Sequence, residues 1–97
     1  MTSHSFHGDA ARELEEATVF YESRVAGLGK SLLDEVERTV SLIERYPNAG
    51  AAISGNVRRV RLDRFPYSVV YRWSADTVAV IALAHHRRRP GYWYGRK

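Results

Sequence analysis

Val57-Arg58-Arg59-Val60-Arg61-Leu62, a break at Phe65-Pro66, then Tyr67-Ser68-Val69-Val70-Tyr71-Arg72-Trp73 is the stretch that decides the fold. Both runs alternate, and the second is rich in β-branched and aromatic residues, the composition of strands. Ser74-Ala75-Asp76-Thr77 reads as a turn, and residues 78–84 are apolar at every position, as in a central strand covered on both faces. Side chains alternate across a strand. Arg59, Arg61 and Asp63 therefore share one face and Arg58, Val60 and Leu62 the other. On the next strand Tyr67, Val69, Tyr71 and Trp73 form the apolar set, and Ser68, Val70 and Arg72 the opposite one.

Upstream the period changes. Ala10, Leu14, Ala17, Tyr21, Val25 and Leu28 recur at helical spacing, with Asp9 at the N-cap position and Glu13, Glu15 and Glu16 in the early turns, where the helix dipole favours acid. Gly27 and Gly29 mark a tight turn. Leu32, Leu33, Val36, Val40 and Ile43 form a second stripe that stops at Tyr46-Pro47-Asn48. Two helices so joined make an antiparallel hairpin. Residues 3–7 give a faint first strand, and residues 49–56 read as a connector whose glycines do not match a phosphate loop. The expected fold is α+β, in the order β-α-α-β-β-β. The helix hairpin packs on one face of a small antiparallel sheet, in a single domain over residues 1–97. The opposite face has nothing in the chain long enough to cover it, so function is sought there.

A chain of 97 residues has one core. No run of 18 apolar residues suggests a membrane span, the first residues lack the apolar core of a signal peptide, and cysteine is absent. A cytoplasmic location is expected. Charge is divided along the chain: residues 1–55 carry −4 and residues 56–97 carry +8. Thirteen of the fifteen basic residues are Arg, whose planar fork suits phosphate and carboxylate. The basic half expects a polyanion or an acidic protein partner. The alternative is an exposed sheet face kept soluble by solvated or Asp63-paired arginines.

The last segment, His85-His86-Arg87-Arg88-Arg89-Pro90-Gly91-Tyr92-Trp93-Tyr94, follows the apolar strand. Adjacent histidines in extended chain point to opposite sides, which makes them poor joint ligands, so neither metal nor cofactor is expected. A histidine beside Arg and Tyr suits general acid/base work; it is equally a strand-end cap. The triple Arg reads as a solvated run or as a binding surface. Tyr92, Trp93 and Tyr94 read as the closing edge of the core or as part of a nucleic-acid or protein interface.

These residues resemble the RelE/ParE toxin superfamily of type II toxin–antitoxin systems. The resemblance rests on Leu14-Glu15-Glu16-Ala17 with Tyr21, Gly27-Leu28-Gly29, Arg58-Arg59-Val60-Arg61-Leu62, Arg64-Phe65-Pro66-Tyr67-Ser68-Val69-Val70-Tyr71-Arg72 and Ala84-His85-His86-Arg87-Arg88-Arg89-Pro90-Gly91-Tyr92-Trp93. It spans nearly the whole chain, and the last two phrases are those of the ParE-like, plasmid stabilisation branch. The resemblance implies a toxin held inactive in a hetero-oligomer with a cognate antitoxin.

Two activities are implied by different branches. RelE-like members cut messenger RNA on the ribosome without a metal; ParE-like members poison DNA gyrase. The RelE pattern places its catalytic groups on Arg59, Arg61, His86 and Tyr92. Its third-strand arginine falls on Ser68, a hydroxyl that cannot supply a guanidinium, with Arg72 as the nearest substitute. The gyrase reading needs only a shaped surface, and for that role Arg58, Arg64, Arg72, His85, Arg87, Arg88, Arg89 and Trp93 are the candidate target- or nucleic-acid-binding residues. A relative that has lost toxicity and survives as a binding module is the third reading.

Overall fold

The computed structural model describes residues 3–96. Its order is β1 (Ser3–Phe6), α1 (Gly8–Arg24), α2 (Leu28–Arg45), β2 (Ala51–Ser54), β3 (Val57–Arg61), β4 (Tyr67–Ser74) and β5 (Thr77–His85). The strands form one sheet in the order β1-β5-β4-β3-β2. The helix hairpin lies on one face, as the apolar stripes require. Ala10, Ala17, Leu32, Val36, Val40 and Ile43 from the helices pack on Val69, Tyr71, Val78, Val80 and Leu83 from the sheet. No helix among the described residues is long and apolar enough to cross a membrane.

The sheet departs from the expected one in three ways. β1 pairs with β5 in parallel, so the sheet is mixed rather than antiparallel. Part of the expected connector is a strand: Ala51 and Ala52 pair with Arg59 and Arg58, and the register slips before Ser54 meets Val57. Small residues hide that strand from any alternation argument. Third, Val70 pairs with Ala82 but Tyr71 with Val80, which leaves Ile81 as an extra residue in β5. The bulge resets the alternation. Val78, Val80 and Leu83 face the helices, while Ala79, Ile81, Ala82 and Ala84 face the other way.

The helix ends also differ. His7, not Asp9, is the N-cap of α1, and its Nδ1 accepts the Asp9 N–H at 3.0 Å. Asp9 sits within the first turn and its carboxylate accepts from Arg12. Val25 falls just past the helix and is exposed. Between the helices Gly27 takes a left-handed φ of 87°, and Glu22 accepts the N–H groups of Gly27 and Gly29 at 2.8 and 3.0 Å. Those two bonds lower the Glu22 pKa.

The second sheet face is covered after all. Trp93, from the turns that follow β5, is 6% exposed and packs on Val57, Val70, Ile81, Ala82 and Ala84. The chain closes this face with one large indole rather than with an element, which is why length alone argued for an open face. Only the part of the face beyond the reach of Trp93 stays exposed.

Candidate functional site: the arginine–histidine end of the second face

The uncovered part lies where β3 and β4 meet the end of β5. Arg61 pairs with Ser68 and Arg59 with Val70, and Ser68 in turn pairs with Ala84. Residues paired across strands face the same side, so Arg59, Arg61 and Ser68 share this surface. His86 follows one residue after β5, anchored by its own N–H to the Pro66 carbonyl at 2.9 Å. Its Nε2 lies 3.2 Å from the buried Ser68 Oγ. Partial desolvation, then the positive charge of Arg61 and more weakly of Arg59, lower the His86 pKa. Arg59 and Arg61 are exposed and have no ion pair or hydrogen bond from their side chains among the described residues. The resemblance implied that these three side chains lie together, and in the structure they do.

Tyr92 is not with them. Its hydroxyl donates to Glu13 Oε2 on α1 at 2.7 Å, across β5 from His86. Burial, then the Glu13 bond, push the phenol pKa well up. Trp93 is the plug already described, so its ring is core rather than binding surface. Arg72 shares the face but sits opposite Val57, four residues along β4 from Ser68, or about 13 Å. It donates to the Arg96 carbonyl at 3.2 Å and does not substitute for a guanidinium beside Ser68. Arg58 points to the helix side and donates to the Gly50 carbonyl at 2.8 Å. Arg64 is exposed in the β3–β4 loop, its Nε 3.7 Å from the buried Glu35.

The two histidines diverge, as an extended chain requires. His85 turns to the helix side, packs edge-on against the Tyr67 ring at 4.9 Å between centroids, and accepts the Arg87 N–H at 3.0 Å. Arg88 stacks over Tyr92 at 3.9 Å from its centroid, while Arg87 and Arg89 are exposed.

Arg96 was missed. Its Nη1 donates to Glu13 Oε1 and to the Ile81 carbonyl, both at 2.9 Å, and its Nη2 reaches Glu13 Oε2 at 3.1 Å. Glu13 also accepts the Leu83 N–H at 3.0 Å. These side chains serve the β5 edge where β1 has ended. The signal was available, since Glu13 lies on the same helical stripe as Ala10, Leu14 and Ala17, where an acid needs a partner.

A family model described as the ParE toxin of the type II toxin–antitoxin system parDE matches residues 5–90. This chain belongs to the ParE toxin family. A solved structure titled as the chromosomal ParDE TA system from P. aeruginosa is similar, with a TM-score of 0.73 and 20% identity over 88% of this chain and 96% of that one. At that identity the likeness concerns the fold. No curated protein sequence matches. In this ParE-family chain Ser68 stands at the position of the RelE-pattern arginine, while the Tyr92 hydroxyl and Arg72 are engaged elsewhere.

Proposed function

We propose that this chain is the growth-inhibiting member of a toxin–antitoxin pair and that it acts by binding DNA gyrase rather than by cutting RNA. The observation that carries the reading is the Tyr92 hydroxyl, held by Glu13 on the far side of β5 from His86. Cleavage through a 2′-hydroxyl needs a base, an acid and cations around one phosphate. Here the tyrosine is withdrawn, Ser68 stands where a guanidinium would be, and Arg72 is engaged elsewhere. What is left is an exposed basic surface of Arg59, Arg61 and His86, followed in the chain by the exposed Arg87 and Arg89, and suited to docking on a macromolecule. His85 and Arg88 lie away from it, in a hollow against α1, and Arg64 is exposed in the β3–β4 loop.

The test has two arms. Purified toxin added to gyrase and supercoiled DNA is expected to accumulate cleaved DNA–gyrase complexes. Primer extension on messenger RNA in a translating extract is expected to show no new ends at the ribosomal A site. New A-site cuts that vanish in His86→Ala, without gyrase complexes, reverse the assignment and make the toxin a ribosome-dependent nuclease.

A further inference from the structure

Arg38, Arg45, Arg59, Arg61 and His86 are all exposed, and they follow one path round the end of β3. Arg45 stands seven residues beyond Arg38 on α2, about 10 Å along the helix axis. Arg38 and Arg61 line a hollow of about 320 Å³ between α2 and the β3–β4 loop, and Arg38 and Arg45 line a second one along α2. β2 begins at Ala51, opposite Arg59, so β3 is a bare edge at Arg61. The Arg61 side chain therefore borders both the hollow and the second sheet face. On that face it meets Arg59 and His86, and both guanidiniums lower the His86 pKa.

Among the described residues none of these four arginines has an ion pair. The nearby acids are engaged or outnumbered. Glu35, 6% exposed, accepts the N–H groups of Asp63 and Arg64 through Oε2 and so staples the β3–β4 loop to α2. Its Oε1 lies 3.7 Å from the Arg64 Nε. Glu44 holds His4 at 2.8 Å. Glu37 and Asp63 border one or the other hollow, against four unpaired guanidiniums. Neither hollow has an aromatic residue in its lining. The path thus offers contacts to phosphate but no platform on which unpaired bases could stack, which suits a duplex backbone better than a single strand.

We infer that this path binds the phosphate backbone of duplex DNA, whatever its sequence, through Arg38, Arg45, Arg59 and Arg61. A planar guanidinium matches the phosphate oxygens, and a row of them releases the counterions condensed on the duplex. The choice of DNA among polyanions rests on the gyrase reading. The substrate of that enzyme is a duplex, so a toxin docked on the enzyme has DNA within reach of its arginines.

The test is the salt dependence of binding between the toxin alone and a short fluorescent DNA duplex, followed by anisotropy. Four phosphate contacts should make log Kd rise with log salt at a slope of about 3 to 4. Arg38→Gln/Arg59→Gln is expected to reduce that slope by about 2. Lys30→Gln, at the opposite end of α2 from Arg45, removes a charge outside the path and is expected to leave the slope as it is. A slope that falls as far for Lys30→Gln as for Arg38→Gln overturns the inference, as does a lack of binding at low salt. An RNA duplex or a single strand held about tenfold tighter than the DNA duplex overturns it too. Cleaved gyrase complexes formed by a toxin that does not bind the duplex would sink the inference and leave the gyrase reading standing. Duplex binding with the expected slopes but without cleaved complexes supports the inference and removes the gyrase reading.

Discussion

His86 is the residue on which the surface can be read most directly. Its pKa is lowered by desolvation and then by Arg61. In the NMR-observed titration of its ring, the midpoint is expected below the ordinary value of about 6.5. Arg61→Gln should move it upward, and an unchanged midpoint would mean that the guanidinium lies elsewhere. Since the folded value lies below the unfolded one, the unfolded chain binds more protons between them, so this residue makes stability rise with pH across that interval. Tyr92 separates binding from catalysis. Tyr92→Phe removes the bond to Glu13 and should lower stability by about 1–2 kcal/mol in denaturant melts. Growth arrest on induction should survive; a toxin silenced by that single oxygen would argue for chemistry at Tyr92.

Elements are held by two glutamates that lie on otherwise apolar helical stripes. Glu13 on α1 serves the β5 edge with Arg96, and Glu35 on α2 serves the β3–β4 loop. Each meets backbone N–H groups that no strand or helix satisfies, and that requirement explains a buried acid better than any surface role. The Arg96 and Glu13 side chains are 15% and 14% exposed, dry enough for their charged bonds to count. Arg96→Met should cost about 1.5–3 kcal/mol, measured by urea unfolding. Trp93→Ala empties the second face and should cost about 3–5 kcal/mol. A loss near zero for Trp93→Ala would show that the indole is not the plug described above.

At the scale of the whole molecule, the strong periods were legible and the weak ones were not. The helix hairpin followed from Leu32, Val36, Val40 and Ile43, and the faces of β3 and β4 from simple alternation. β2 was invisible because Ala51 and Ala52 carry no pattern. The parallel pairing of β1 depends on residues more than 70 positions away, beyond any local signal. The bulge at Ile81 reverses alternation without a glycine to announce it. In the candidate site, alternation put Arg59 and Arg61 on one face, and the RelE pattern of the resemblance set His86 beside them, where the structure also has it. Tyr92 and Trp93 were left between core edge and interface, since a turn-rich segment has no period from which to infer direction, and Trp93 proves to be core.

The pairing of Ser3–Phe6 with residues 77–80 also has a consequence in time. During translation β1 emerges first and its neighbour nearly last, and Trp93 and Arg96 follow later still. The nascent chain therefore has no finished sheet, no plug and no clamp on α1 until residues 77–96 have been made. Folding then proceeds by one long-range closure, slow for so small a protein.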